Sequence, residues 1–574
     1  MDAPGAECGE REARLGERPA LLAQRTEAVA VAPAAPPLAL PAIRDEDKTP
    51  AVLRLLAVIA DQAQRLADQA QRLADQEQRL AALAAEIARL KGDPKKPRSN
   101  SKPSGLSKRP GQGPSAEGKR PGSDKRSKTA ALPIHQEVPL PPKDLPEGST
   151  LLSRDPFVVQ DLVIEVRNTR YLLEVWQTPT GERLRGELPA GIRGHFGSGL
   201  IGFVLQQHYQ AHVPQPRLLD ELHDYGIDIS AGPINHIVTE NHPALHAEKD
   251  ALLPAALQAS TYVDVDDSGA PHQGRYGSCL CLSNELFATF HSSATKTRSK
   301  FLDVLRCGHT DYVLNETAWS YLEKQGLPAK VLRQLQDHAE HVFADADAWQ
   351  RHLEALALAP SNREAVTEAA LLGSAAAHGV PENLGIVSDG ATTYALFVHG
   401  LCWIHQERNL AKLVPCGTEQ SQAKEEVLTA VWQLYADVQA YRAAPVPAQA
   451  EVLRTRFDAL VGRTTCMPEL NAALARMQAN KADLLRVLER PDLPLHSNTV
   501  ERDFRDWAAK RKISAGTRGE LGRRCRDTFL SLKATCKKLG MRFWAYLQDR
   551  LLGAGNIPYV PELVRAKAAA SALT

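Results

Sequence analysis

The chain has 574 residues, of which 43% are hydrophobic and 24% are charged, and its net charge is +1. At roughly 100–200 residues per domain, this length predicts about two to four structural units. No apolar run reaches the ~18 residues that a membrane-spanning helix needs, and the first residues lack the apolar stretch of a signal peptide. The 9 cysteines form no close framework, which excludes a disulfide scaffold and indicates a reducing compartment.

The near-neutral total conceals two basic segments. Residues 91–128 contain 12 Lys or Arg against 3 Asp or Glu, and residues 501–542 contain 13 against 5. Positive charge concentrated at two places on an otherwise acidic chain indicates a polyanionic partner. The alternative is that the basic runs only keep the chain soluble.

The N-terminal part is predicted to be a disordered segment, 1–48, followed by a coiled-coil helix, 49–91. Six apolar residues recur at a spacing of seven: Val52, Ile59, Leu66, Leu73, Leu80 and Ile87. Such a repeat keeps one seam of a helix facing a partner helix. We therefore expect a homodimer or a higher homo-oligomer, with a lone solvated helix as the alternative.

Three units follow in chain order. Residues 92–148 are rich in Lys, Pro, Ser and Gly and predict a flexible basic linker. Residues 149–190 alternate apolar and polar side chains and predict a small β-rich module. Residues 191–255 predict a helical region resembling a helix-turn-helix, with Ser230 as an N-cap, that binds DNA; a plain helical hairpin is the alternative.

Three acidic residues stand at places where a metal site is expected. Asp266 lies on the strand-like run TYVDVDDSG, which also contains Asp264, and Asp389 ends the apolar run LGIVSDG. Two further strand-like runs follow the first acids, which suggests the start of an RNase H-like sheet. Glu501 lies one turn into a predicted helix whose apolar face is formed by Val500, Phe504, Trp507 and Ala508.

Carboxylates brought together in this way can hold two divalent cations for an in-line phosphoryl displacement, and Mg²⁺ suits oxygen ligands. Each acid also has an ordinary interpretation. Asp266 could face solvent, Asp389 could be a turn residue, and Glu501 could pair with Arg505 one turn along its helix.

The segment LCWIHQERNL carries a Cys-x-x-His pair, Cys402 and His405, around Trp403. Such a pair is half of a zinc site, but no second pair has a fitting spacing. We therefore assign Cys402, Trp403 and His405 a structural role near the site.

The order and wording of these segments resemble the bacterial insertion-sequence sixty-six family of DDE transposases. The resemblance covers roughly residues 50–550 and is carried by five segments after the heptad helix: GDPKKPRSNSKPSG, QQHYQAHVPQPRLLDELHDYGIDIS, VDDSGAPH, SDGATTYALFVHGLCWIHQERNL and HSNTVERDFRDWAAKRK. It implies that Asp266, Asp389 and Glu501 are the catalytic and metal-binding triad, with Asp264 as the other candidate for the first ligand. Family members typically carry a zinc module with paired cysteines, but residues 145–190 contain no Cys, so no zinc is expected.

The predicted fold class is α/β, with an RNase H-like catalytic core that a helical insertion interrupts, preceded by the N-terminal units above. The core comprises 256–418 with the first two acids and 491–550 with the Glu501 helix and a basic part; 419–490 is the insertion and 551–574 a C-terminal tail. Five basic residues of the Glu501 helix are expected to contact DNA phosphates: Arg502, Arg505, Lys510, Arg511 and Lys512.

The predicted function is Mg²⁺-dependent DNA cleavage and strand transfer of an insertion sequence, with Mn²⁺ as a possible substitute. The partners are DNA at the element ends and the target, and no membrane is expected. The predicted location is the bacterial cytoplasm, in association with the nucleoid. The alternative functions are a non-catalytic DNA-binding or architectural protein derived from a transposase, and a structure-specific nuclease.

Overall fold

The structure is a computed structural model that divides the chain into two units, Met1–Lys102 and Pro103–Thr574. It describes residues 133–572 except 155, 156, 190, 191, 193 and 391, together with positions 49, 52, 57–59, 61, 62, 64, 65, 69 and 76. In the first unit, every described position from 52 to 76 is helical, as the heptad pattern predicts. Leu66, Leu73, Leu80 and Ile87, the predicted segment 1–48 and most of the linker lie outside the described residues.

Residues 133–189 contain less regular structure than the sequence predicts. One antiparallel hairpin joins β1 (Val175–Gln177) to β2 (Arg183–Arg185), with Trp176 opposite Leu184. Gly181 adopts a φ of +85° in the turn, a conformation that favours glycine. The run FVVQDLVIEV at 157–166, part of the predicted β-rich module, forms no strand and is exposed except at Val158, because a strand needs a hydrogen-bonded neighbour. The β-rich module is therefore reduced to a hairpin in the described part of the segment.

Four helices precede the central sheet: α1 (Ser198–Tyr209), α2 (Gln215–Asp224), α3 (Ala231–Thr239) and α4 (Pro243–Gln258). Pro214 precedes α2 and Gly226, with a φ of +80°, follows it. Leu218, Leu222 and Ile234 are buried between α2 and α3. The predicted pair of short helices around Ser230 is thus present.

The central sheet has five strands: β3 (Tyr262–Gly269), β4 (Ser278–Ser283), β5 (Ala288–Ser293), β8 (Gly385–Ser388) and β9 (Val398–Leu401). Their spatial order is β5-β4-β3-β8-β9. The strands β3, β4 and β5 are antiparallel neighbours, whereas β8 runs parallel to both β3 and β9. β3 is therefore the middle strand, and β3 and β8 end at the same edge of the sheet.

The chain between β5 and β8 forms a mainly helical layer. It comprises α5 (Arg298–Leu305), β6 (Tyr312–Val313), α6 (Glu316–Lys324), α7 (Ala329–Gln336), β7 (Val342–Phe343), α8 (Ala346–Ala355) and α9 (Pro360–Ala377). Val263 and Val265 of β3 belong to the same buried cluster as Phe301 and Ala369 of this layer. Because side chains alternate across a strand, the face of β3 that carries Asp264 and Asp266 is turned away from this layer.

That second face is covered by two long helices, α15 (Asn498–Ser514) and α16 (Glu520–Lys538). Val500, Phe504 and Trp507 pack with Cys281 and Phe290 of the sheet, and Ala508 packs against the same cluster. The apolar face predicted for the Glu501 helix is therefore the face that meets the sheet.

The segment between β9 and α15 is helical, as predicted. It comprises α10 (Trp403–Ala411), α11 (Thr418–Ala443), α12 (Pro447–Val461), α13 (Pro468–Ala479), α14 (Lys481–Leu484) and a short 3-10 helix (Arg486–Leu488); another 3-10 helix (Thr392–Tyr394) follows β8. These helices share a core of their own that includes Trp403, Phe457 and Leu474.

The predicted C-terminal tail, 551–574, contains a packed helix. After α17 (Phe543–Leu552), helix α18 (Val560–Ala572) buries Val560 and Val564 completely against the cluster that includes α4. Glu248 of α4, 2% exposed, binds Arg550 at 2.8 Å and accepts the amide hydrogen of Val560 at 2.9 Å. Among the described residues, no helix has the length and apolar character needed to cross a bilayer.

Candidate functional site

Asp266 lies on β3 near the carboxyl end of the strand. Its side chain is partly buried, and the backbone amide of Asp267 donates a hydrogen bond to Oδ1 at 2.8 Å. The pKa of Asp266 is raised to about 6, mainly by burial and in part by the carboxylates of Asp389 and Asp267. A carboxyl group in this setting gains from a nearby cation, because the cation offsets the repulsion between the acids.

Asp389 directly follows β8, where Gly390 turns the chain with a φ of +117°. Since β3 and β8 are parallel neighbours, Asp389 lies at the strand edge to which Asp266 belongs. The carboxylate of Asp389 also raises the pKa of His405, after the larger effect of the Cys402 thiol. The charge of Asp389 therefore acts on both Asp266 and His405.

Glu501 lies in the first turn of α15 and is held from the side of α10. Arg408 Nη1 donates to Glu501 Oε1 at 3.0 Å, and His405 Nε2 lies 3.5 Å from the same oxygen. The Glu501 side chain is 17% exposed. His405 thus contacts Glu501. The charge of Asp389 raises the pKa of His405, and the charge of His405 lowers the pKa of Asp266. Glu501 is therefore near the edge that carries the two aspartates.

Asp264 is on the same face of β3, two residues further into the sheet. It is completely buried, and burial is the main cause that raises its pKa well above the ordinary value, followed by Glu285. Such a carboxyl group favours its neutral form. Asp266, which is partly exposed at the strand end, is therefore the better placed of the two candidates for a first ligand.

Asp267 points to the opposite face and has partners that the sequence did not reveal. Lys296 Nζ lies 2.6 Å from Asp267 Oδ2, and the Tyr394 hydroxyl donates to the same carboxylate. Lys296 follows β5 and is 40% exposed. Although burial lowers the pKa of Lys296, its bond to Asp267 and the charges of Asp389 and Asp266 raise it overall. The ammonium group of Lys296 is therefore close to the sheet edge that carries Asp266 and Asp389.

The predicted structural role fits Cys402 and Trp403. The amide of Ser497 donates to Cys402 Sγ at 3.4 Å, which fastens the start of α15 to the end of β9. Trp403 is 1% exposed and its indole donates to the carbonyl of Leu484 at 2.9 Å. His405, in contrast, contacts Glu501 directly.

A buried chain of polar groups supports the end of β8 from behind. His399 of β9 donates from Nδ1 to Asp483 Oδ2 at 2.7 Å, and its Nε2 lies 3.0 Å from the hydroxyl of Ser388. The amide of Gly390 in turn points to Ser388 Oγ at 3.4 Å. These contacts connect helix α14 to the two residues that flank Asp389.

The five basic residues predicted to contact DNA do not share one environment. Arg502, Arg505 and Lys512 are exposed. Arg511 is partly buried and donates to Ser268 Oγ at 3.0 Å, so it supports the end of β3. The prediction for Lys510 is wrong: it is 3% exposed and donates to the carbonyl of His208 at 2.7 Å. Burial lowers the pKa of Lys510 to about 7.

The donor types at this edge suit a divalent cation of the magnesium type, although among the described residues the ligand atoms of Asp266, Asp389 and Glu501 do not all lie within 4.8 Å of one another. Asp266, Asp389 and Glu501 offer carboxylate oxygens, the ligands that Mg²⁺ prefers. Burial is the largest cause of the raised pKa of Asp266, and the charge of Asp389 adds to it; a cation bound at this edge would offset both effects.

Two comparisons place the chain among known proteins. A sequence model described as the Transposase IS66 family matches residues 328–524, a segment that includes Asp389, α10 and Glu501. A relative from Sinorhizobium fredii, the uncharacterized protein y4jO, is 38% identical over 321 residues, which cover 55% of this chain and 100% of the relative. The chain therefore belongs to the IS66 transposase family.

Proposed function

We propose that this transposase catalyses metal-dependent DNA cleavage and strand transfer with Asp266, Asp389 and Glu501 as its catalytic triad. The proposal is supported by the contact of Glu501 with His405 and by the parallel pairing of β3 and β8, which puts Asp266 and Asp389 at the same end of neighbouring strands. His405 lies 3.5 Å from Glu501. The charge of Asp389 contributes to raising the pKa of both Asp266 and His405.

The strand arrangement supports an RNase H-like core. Three antiparallel strands followed by two parallel ones, with the first strand in the middle, are the arrangement expected of that architecture. The proposed core comprises 256–418 and 491–550. The helices between 419 and 490 form a separate core, which supports their assignment as an insertion.

Asp266, Asp389 and Glu501 are the residues that would hold Mg²⁺ or Mn²⁺. The chemistry that such ions supply is activation of a water or a DNA 3′-hydroxyl and neutralisation of the leaving oxygen. His405 and Arg408 hold the Glu501 carboxylate in place. Lys296 offers a positive charge beside the acids, at a position suited to a DNA phosphate.

The proposed DNA contacts combine three parts of the chain. Arg502, Arg505 and Lys512 are exposed cations on α15, the helix that carries Glu501. The helical region 191–255 presents the exposed residues Asn235 and His236 on α3, and the basic linker adds phosphate contacts without sequence preference. Pairing through the heptad helix would place two catalytic units on the two ends of an element.

The test is Mg²⁺-dependent cleavage of DNA that carries the ends of the encoding element. Asp389→Asn and Glu501→Gln should each lower the cleavage rate at least about 100-fold while leaving DNA binding intact. Glu425→Gln, an exposed acid on α11, is the matched control and should cleave normally. Wild-type DNA binding without cleavage in either Mg²⁺ or Mn²⁺ would instead identify a non-catalytic DNA-binding protein.

A second readout separates transposition from simple nuclease activity. With pre-cleaved ends and a supercoiled target, the wild-type protein should join the 3′-hydroxyl to target DNA, because the same carboxylates serve both displacements. Cleavage without joining would assign the chain to structure-specific nucleases.

A further inference from the structure

A cluster of side chains that can bind a metal lies outside the proposed site of Asp266, Asp389 and Glu501, which we call the carboxylate edge. His309 is in the loop between α5 and β6, Asp311 immediately precedes β6, and His378 is the C-cap residue of α9. One ligand atom from each residue lies within 4.8 Å of the other two. Three donors from two distant parts of the chain therefore converge on one point.

The contacts within the cluster are close. His378 Nε2 is 3.0 Å from both carboxylate oxygens of Asp311. The ring of His309 is parallel to that of His378, with 3.3 Å between the ring centroids and 6° between the planes. Because a metal ion binds in the plane of an imidazole ring, two parallel rings cannot both bind one ion as they stand, so ion binding requires the exposed ring of His309 to rotate out of the stack.

The surroundings also suit a bound cation. The Ser374 hydroxyl donates to Asp311 Oδ1 at 2.9 Å, which orients the carboxylate in the way that outer-sphere hydrogen bonds orient metal ligands. His378 lies at the C-terminal end of α9, where the helix dipole favours positive charge. His309 is exposed, whereas the side chains of Asp311 and His378 are 22% and 29% exposed. An ion can thus enter from solvent, and a water can complete its coordination.

The donor types select the metal. Zinc binds imidazole nitrogen and carboxylate oxygen at about 2.0–2.2 Å, so adjacent ligands of a tetrahedral ion lie roughly 3.3 Å apart. The 3.0 Å between His378 Nε2 and Asp311 is close to that separation. Imidazole favours Zn²⁺, Ni²⁺, Co²⁺ and Cu²⁺, whereas Mg²⁺ favours oxygen ligands.

We propose that His309, Asp311 and His378 form a binding site for a zinc-type divalent cation, with water in the remaining position. The site would fasten the loop before β6 to the end of α9. It is independent of the proposed transposase chemistry. The sequence expectation of no zinc rested on missing paired cysteines, and a His-x-Asp pair with its third ligand 67 positions later gives no recognisable motif.

The test uses the full chain, stripped of metal and kept in excess Mg²⁺, which occupies the carboxylate edge. Zn²⁺ binding is then measured by competition with a chromophoric chelator, and Co²⁺ binding by its visible absorption. His309→Ala is the main variant because this exposed side chain can be removed without opening the core. His338→Ala, in the same helical layer, is the matched control.

The wild-type protein should bind one more equivalent of Zn²⁺ than His309→Ala, or bind that equivalent at least about tenfold more tightly. Zn²⁺ should also raise Tm in the wild type and in His338→Ala but not in His309→Ala. Asp311→Asn gives a second variant, with the same expected loss. Glu501→Gln should retain the site, which separates it from the carboxylate edge. Equal Zn²⁺ stoichiometry and affinity in the wild type and His309→Ala would overturn the proposal.

Discussion

Replacing His399 with Leu should test whether the buried polar chain behind β8 stabilises the strand end that carries Asp389. His399 is 6% exposed and connects Ser388, at 3.0 Å, with Asp483, at 2.7 Å. Leu removes both interactions while filling a similar volume. The Ser388 hydroxyl is fully buried and would then keep the long contact from the Gly390 amide at 3.4 Å.

The expected loss follows from the two partners. An orphaned buried hydroxyl costs about 1–3 kcal/mol, and a hydrogen bond to a charged group contributes about 1.5–3 kcal/mol. The second contribution is smaller here, because the Asp483 side chain is 28% exposed and retains Arg486 at 3.3 Å. We expect a loss of about 2–4 kcal/mol, which for a chain of this length corresponds to a Tm lower by roughly 2–4 °C.

A double-mutant cycle measured by scanning calorimetry isolates the cause. Ser388→Ala removes the hydroxyl that His399→Leu leaves unpaired, so the double variant should lose about 1–2 kcal/mol less than the sum of the two single losses. His236→Leu, at an exposed site on α3, should change stability by less than about 0.5 kcal/mol. Strictly additive losses, or an unchanged Tm in His399→Leu, would show that the polar chain is not coupled.

Two further predictions concern buried positions in other elements. Burial lowers the pKa of Lys510 from 10.5 to about 7, so between these values the unfolded chain binds a proton that the folded protein does not. Stability should therefore rise with pH across this window, and Lys510→Met should flatten that rise in Tm measurements; parallel profiles would contradict the burial. A Cβ at Gly373 of α9 would lie 2.0 Å from the carbonyl oxygen of Val313, so Gly373→Ala should lower stability by more than about 2 kcal/mol. Gly232→Ala, which meets nothing within 4 Å, should raise stability by up to about 1 kcal/mol; equal effects at both glycines would refute the proposed clash.

The elements that carry the proposed site were predictable because their signals are local. The acids on β3 and β8 stand at the ends of apolar strands, and α15 shows its buried face through Val500, Phe504 and Trp507. Strand alternation and helical periodicity are both short-range patterns. They identify candidate acids without showing which groups face them across the fold.

The partners of those acids come from distant segments and leave no such signal. Arg408 reaches Glu501 across 93 positions, and His399 reaches Asp483 across 84. Lys510 is a different case, since it lies three residues after Trp507 and so continues the buried face of α15. Helical spacing alone therefore predicts that Lys510 is buried. Its predicted contact with DNA rests on the run of basic residues that it forms with Arg511 and Lys512.

The helices between 419 and 490 contact the elements that carry the proposed site. Asp483 of α14 supports His399, and the carbonyl of Leu484 receives the indole hydrogen of Trp403 at the start of α10. The same α10 carries His405 and Arg408, which hold Glu501. One series of contacts therefore runs from Asp483 of α14 through His399 to Ser388, which precedes Asp389. The other runs from Leu484 of α14 to α10 and from there to Glu501. A displacement of α14 would therefore act on the surroundings of both Asp389 and Glu501, two members of the proposed triad.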